Sequence, residues 1–563
     1  MHEYAARALL KMAGKLTAML VWASLVCSAY GAGCPSGPNA GFQVVRYEGV
    51  KAAVWYPTAD RPATYTYSDR ISGSVAVGGA PACTDLALLF FSHGLNGCGT
   101  QSVFLTEELA RRGYIVLAPD YRDARCSVDS SGPQNLESAD PEKFQDYAAW
   151  TDGTYLDRRD DSRSVLNGIL SSAGFGPRID ASRIAAGGHS LGGYTVAAML
   201  GGWSSWKDPR FRTALLLSPV VGPFMVDGRS TLDAIQSPVM YQGGTADLGI
   251  TPGLKKPGRA YDLTKPTKFL AEFRGAGHFD FSNSVCGRAP TTVAACLASQ
   301  TNAKLIFDYA EAFLATTVWG EDRAMLYTPN PALATYWRQS ALAVVSAASY
   351  SPDVAPGSIA SLFGLGLAAR EQTALPPAPA ESIGAISARV TYADGNSVAA
   401  RLYMVSPGQI NLVLPQTPPS TGPVRVEVRQ DAEVIAAGQA KLSPVAPGLF
   451  TTAATGMAAG EWLRVLPDGA RTSGAISRTP IALSPGQVYL SLYGTGFRHA
   501  TKLQARSGNT AVPILAMAPS PEYAGLDQLA LGPLPLELAG KGEVDIVVTA
   551  DGANSNAAKF VTR

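Results

Sequence analysis

From about residue 86 to residue 319, short runs of uninterrupted apolar residues alternate with longer amphipathic ones. "LALLFFS", "YIVLAP", "RIAAGGH", "TALLLS", "PVMYQGG" and "KFLAEF" show no polar alternation, the pattern of strands buried on both faces. Between them, "SVFLTEELARRG", "RDDSRSVLNGILSSA", "LGGYTVAAMLGG" and "NAKLIFDYAEAFLATTVW" carry apolar residues at helical spacing. The alternation predicts an α/β class: a mostly parallel sheet flanked by helices. "FQVVRYEGV" and "KAAVWYPT" add antiparallel strands at its start.

Beyond about residue 340 the pattern changes to alternating strands separated by Pro/Gly turns, and cysteine disappears. "APGSIASLFGLGLA" at Ala355 is echoed by "SPGQVYLSLYGTGFRHA" at Ser484. "GPVRVEVRQDAEVIAAGQAKL" at Gly422 is echoed by "GEVDIVVTADGANSNAAKFV" at Gly542. The similar offsets indicate an internal duplication. The expected organisation is a leader over 1–32, an α/β domain over 33–325, and two β-sandwich-like units over 340–445 and 480–563. A connector over 446–479 joins the two units.

Composition narrows the function classes. Forty-six Lys and Arg nearly cancel 45 Asp and Glu, with no long run of one sign. Nothing in that balance marks a nucleic-acid or anionic-membrane binder. Arg7, Lys11 and Lys15 precede the apolar run "LTAMLVWASLV" and then small residues, the layout of an export signal, so a secreted or periplasmic location is expected. The run is short for a membrane span. Neither Cys27 nor Cys34 follows a lipobox. Cleavage leaves Cys34, Cys83, Cys98, Cys126, Cys286 and Cys296, an even number that suits disulfides in an oxidising compartment. Cys286 and Cys296 would close a small loop, and the other four allow three pairings. No CxxC pair supports zinc, and no metal or cofactor is expected.

The chemistry centres on "AAGGHSLGGYT", where Gly188-His189-Ser190-Leu191-Gly192 fits a nucleophile elbow. In a chain with 57 glycines the pattern alone is weak. Its setting carries the weight: an apolar strand directly before it and a helical segment directly after it. A serine hydroxyl needs a base, normally a histidine held by a carboxylate. Of five histidines, His2 lies in the leader, His499 in the second β unit, His189 in the elbow, and His93 in an earlier loop whose shape it is expected to fix. His278 remains, in the glycine-rich loop "FRGAGHFDF" after the last predicted strand. Asp247, after the strand "PVMYQGG", is the expected carboxylate; Asp233 and Asp280 are its rivals. Activity should rise with pH as the imidazole loses its proton, because only the neutral ring accepts one.

An oxyanion hole needs two backbone N–H donors. Leu191, after the serine, and Leu95, in the loop "SHGLNGCG", are the expected pair. Substrate walls are sought in Leu95, the insert between Cys126 and Tyr155, and "GGWSSWKDPRF", where Trp203 and Trp206 are the candidate substrate-binding residues.

"SHGLNG", "GHSLGG", "GGTAD" and "GAGHFDF", with "AAVWYP" upstream, resemble the α/β-hydrolase superfamily over roughly residues 41–320. Within it they resemble the platelet-activating-factor acetylhydrolase and dienelactone-hydrolase-like branch. The resemblance implies carboxylic-ester hydrolysis through an acyl-serine, with Ser190, Asp247 and His278 as triad and a small-molecule or lipid ester as substrate. Dienelactone hydrolases proper use a cysteine nucleophile, so their lactone chemistry does not carry over. In this branch the helix "RRDDSRSVLNGIL" would be structural. The C-terminal part is similar to an uncharacterised module of secreted acidobacterial proteins and is expected to act as a spacer or to contact a cell surface or polymer. A noncatalytic binding or adhesion protein on the same scaffold and a serine peptidase are the alternatives.

Overall fold

The structure is a computed structural model that describes residues 37–129, 146–225, 230–328, 330–375, 378–416, 421–452, 455–477 and 479–563. The expected leader, Cys34, and residues 130–145 of the Cys126–Tyr155 insert lie outside the described residues. Two compact units meet in sequence at Gln339 and Ser340.

The first unit is an α/β sheet. Its strands are β1 (Asn39–Tyr47), β2 (Val50–Thr58), β3 (Ala63–Thr66), β4 (Ile71–Val77), β5 (Leu86–Ser92), β6 (Tyr114–Pro119), β7 (Ile179–His189), β8 (Phe211–Leu217), β9 (Val239–Gly244), β10 (Lys268–Phe273), the short β11 (Thr291–Thr292) and β12 (Leu333–Ala341). β1 pairs antiparallel with β2, and β2 with β6. From β6 the order β6-β5-β7-β8-β9-β10 is parallel throughout. β3, β4 and β11 extend the β1 edge. At the other edge, residues 333–339 of β12 pair antiparallel with β10, so the sheet runs past the expected boundary at 325. The added strand covers backbone that β10 would otherwise leave unpaired.

Uninterrupted apolar strands become central because side chains alternate between faces. Leu89 and Phe91 of β5 enter one core layer with Val103, Phe104 and Leu109 of α1 (Val103–Ala110) and Phe313 of α4 (Thr301–Leu314). Leu88 and Phe90 enter the other, with Val165 and Ile169 of α2 (Leu156–Ser171) and Tyr194 and Val196 of α3 (Leu191–Ala197). Helices cover both faces, as buried parallel strands require. Disulfides join Cys98 to Cys126 and Cys286 to Cys296. Among the described residues no helix is long and apolar enough to cross a membrane.

The second unit is β-rich. The hairpin of Gly422–Gln430 with Glu433–Leu442 and the strands Ile386–Thr391 and Ser397–Val405 surround one core containing Leu402, Leu412, Val426 and Val428. Gln487–Thr495, Asp527–Leu531 and Gly542–Ala550 belong to sheets around another, containing Leu490, Leu492, Leu529, Ile546 and Val548. Both members of each sequence echo contain a strand: Ile359–Phe363 and Gln487–Thr495 in one, Gly422–Gln430 and Gly542–Ala550 in the other.

The expected connector over 446–479 is corrected. Gly460–Val465 and Arg471–Ala475 form a hairpin, and the first strand pairs with Gln487–Thr495. Alternation in "EWLRV" and the turn glycine Gly469, at φ 87°, make this stretch part of the second sheet system.

Candidate active site

The carboxyl ends of β5, β7, β8, β9 and β10 each continue into a loop with a polar residue. β7 ends at His189 and α3 begins at Leu191, leaving Ser190 between them at φ 55°, ψ −118°, with 4% of its surface exposed. Few L-residues adopt such a backbone, and the surroundings hold it there. The Ser190 N–H bonds the Leu217 carbonyl at 3.0 Å, and its carbonyl accepts the Val220 N–H at 3.1 Å. A Cβ at Gly188 would run into the Gly192 carbonyl, and one at Gly192 into that of Ser92, so only glycine lets the chain turn this closely.

His278 opens a single turn of 3₁₀ helix, His278–Phe281, shortly after β10. Its Nε2 lies 2.9 Å from Ser190 Oγ, and its Nδ1 lies 3.1 Å from Asp247 Oδ2. Asp247 follows β9 and is 4% exposed. Burial works against its ionisation, but hydrogen bonds from His278 and Ser218 outweigh that and hold its carboxyl below the ordinary value. The rival carboxylates are elsewhere. Asp280 accepts the Gly277 N–H at 2.8 Å and closes the turn that carries His278, and Asp233 is exposed in the turn Leu232–Ala234.

The other two buried histidines support the loops. The Nδ1–H of His93 donates to the Gly94 carbonyl at 2.7 Å, and Nε2 accepts the Tyr121 N–H at 3.1 Å. Desolvation and the neighbouring Arg158 push His93 down to about 4, so it is neutral. His189 donates from Nε2 to the His278 carbonyl at 2.9 Å and accepts at Nδ1 from Gln101 Nε2 at 2.8 Å. Desolvation, then His278, push it down to about 3. Gln101 Oε1 in turn accepts the Gly94 N–H at 3.0 Å. One chain of neutral hydrogen bonds therefore ties the loop after β5, the elbow and the His278 loop together.

That first loop is clamped from beneath. Arg158 of α2, fully buried, grips Asp123 with Nη2 2.7 and 2.9 Å from its two carboxylate oxygens and donates to the carbonyls of His93 and Gly94 at 2.8 and 3.2 Å. Burial opposes the Asp123 charge, but Arg158 brings its carboxyl down to about 2. The Asn96 N–H donates to Asp123 at 3.0 Å. Gly94 and Asn96 thus have acceptors, whereas the Leu95 N–H between them has none among the described residues. A Cβ on Gly94 would stand 3.3 Å from Ser190 Cβ, which puts this backbone against the elbow. Leu191, as the first residue of α3, has an N–H with no intrahelical acceptor.

The two candidate tryptophans pack against neighbouring aromatic rings. Trp206 is fully buried, donates to the Asp152 carbonyl at 2.7 Å, and packs edge-on to Tyr194. Trp203 is half-buried, donates to the Tyr194 hydroxyl at 2.9 Å and leans on Phe224. Both belong to the aromatic packing around Tyr194 of α3. Sequence reasoning also missed Leu248 and Phe279, 80% and 68% exposed beside Asp247 and His278. It missed Ser218 as well. The apolar run "TALLLS" signals that Ser218 ends a strand, but not which loops it meets.

No family model matches the chain, and no curated protein matches it. Among solved structures, a ferulic acid esterase from Streptomyces cinnamoneus is similar at 20% identity, over 54% of this chain and 98% of that one, with a TM-score of 0.40. The functional reading rests on the geometry of the site.

Proposed function

We propose that the protein is an exported serine hydrolase of carboxylic esters, built on an α/β-hydrolase-type sheet. One observation carries the reading: a hydroxyl, an imidazole and a carboxylate lie in one hydrogen-bonded chain, with the hydroxyl on a strained strand-to-helix turn.

In this reading the Nδ1–H of His278 points to Asp247, leaving the Nε2 lone pair for the Ser190 proton. Oγ attacks the ester carbonyl carbon as its proton passes to Nε2. The tetrahedral oxyanion is held by the N–H groups of Leu191 and Leu95. The bond from carbon to the alkoxy oxygen then breaks, and the departing alcohol takes the proton from Nε2. Water attacks the acyl-serine and gives a proton to Nε2. The acyl carbon parts from Oγ, and that proton returns to Ser190. Asp247 stabilises the imidazolium at each stage without being protonated. The two disulfides support an oxidising compartment.

Hydrolysis of p-nitrophenyl acetate by the wild type and by Ser190→Ala tests the reading. The variant should lose at least about 10⁴-fold in kcat. Equal rates would end the assignment.

A further inference from the structure

The chain of Ser190, His278 and Asp247 leaves one central side chain unused. Ser218 directly follows β8, is fully buried, and stands at φ 41°, where glycine or asparagine is the ordinary choice. Its N–H is fixed to the Gln242 carbonyl at 2.7 Å. Its hydroxyl hydrogen-bonds Asp247 Oδ2 and lies 2.8 Å from His278 Nδ1. Proton counting orients these contacts. The Asp247 carboxylate only accepts, so Ser218 donates to it, and the Ser218 oxygen is left to share the Nδ1–H of His278 with Asp247.

We propose that Ser218 is a positioning residue for the reaction, holding the Asp247 carboxylate and the Nδ1–H tautomer of His278 so that Nε2 faces the Ser190 hydroxyl. The inference rests on the hydrolase reading of the same site. A hydroxyl kept at a strained, buried position and bonded to two members of the chain supports the role. The bond also helps keep a buried carboxylate ionised. Had Ser218 served packing alone, glycine would fit the backbone with less strain.

The test uses Ser218→Gly and Ser218→Ala in the full chain, with p-nitrophenyl acetate, each also combined with Asp247→Asn. Ser218→Gly relieves the backbone, so its thermal midpoint should hold. Its kcat should fall about 10- to 100-fold with KM nearly unchanged, the signature of a lost hydrogen bond to a charged group. Because the effect acts through Asp247, it should shrink to a few-fold or less in the Asp247→Asn background. Wild-type kcat in Ser218→Gly, or an equal loss in both backgrounds, overturns the role of Ser218 alone. An inert wild type overturns the hydrolase reading and this inference together.

Discussion

Both units bend the chain through positive φ at residues that carry side chains, but to different ends. In the β-rich unit, Asp431 at φ 52° and Asp551 at φ 47° sit in exposed two-residue loops of hairpins, where a left-handed conformation matches the twist of the strands. In the α/β unit Glu48 does the same between β1 and β2. Ser190 and Ser218, in contrast, are buried at the ends of parallel strands, where no hairpin forms. Their backbone aims two hydroxyls at one imidazole. The exposed strained turns reverse the chain, whereas these two buried ones fix the direction of a hydroxyl.

The contrast extends to buried charge. Arg158 and Asp123 hold the loop after β5, while Arg498 and Asp527 fasten the Phe497 backbone inside the second unit, with Asp527 accepting the Phe497 N–H at 2.8 Å. Burial raises Asp527 above its ordinary value in spite of Arg498, whereas Arg158 wins over burial at Asp123. Arg498 sets both Nε and Nη2 on one carboxylate oxygen, at 3.1 and 2.9 Å, where Arg158 grips both oxygens of its partner, so the difference follows the contact geometry.

Of the substitutions at these sites, Asp247→Asn should cost the most activity. It should keep the fold and lower kcat on p-nitrophenyl acetate about 10⁴-fold, by favouring the wrong imidazole tautomer. Next, Arg158→Met and Arg498→Met should each cost about 3–5 kcal/mol in urea unfolding by stranding a buried carboxylate. Only the first should also lower activity per folded molecule, because only its pair supports Leu95. A third test is acid. His93 and His189 are neutral in the fold, at about 4 and about 3, against 6.5 for an unperturbed histidine. The unfolded chain therefore takes up more protons below pH 6.5, and the stability present above that pH is lost as it falls toward 4 and 3. Each histidine should contribute about 2 kcal/mol of loss between pH 6.5 and 5. His189→Gln should flatten the fall of the thermal midpoint over that interval. The smallest effect belongs to Asp431→Gly, which should change stability by less than about 1 kcal/mol and leave ester hydrolysis untouched.

Much of the first unit was legible in the sequence because its signals are local. A run such as "LALLFF" has no polar face to offer water, so it must be a central strand. The elbow glycines mark a turn that admits no side chain. The order Ser190, Asp247, His278 follows from which loops end which strands. The hairpin over 460–475 escaped because its alternation is short, and only pairing with Gln487–Thr495 makes it part of a sheet. The complete burial of Trp206 was not legible, because local spacing does not tell a packed ring from one facing a ligand.

Local sequence was enough for the element types of the α/β unit, the change of architecture near residue 340 and the chemistry on offer at three strand ends, all consequences of neighbouring residues along the chain. The tertiary structure alone decided that Ser218 joins Asp247 and His278, that Arg158 reaches beneath Leu95, and that Cys98 pairs with Cys126. Those contacts span tens of residues and depend on the order in which strands lie side by side, which no local pattern encodes.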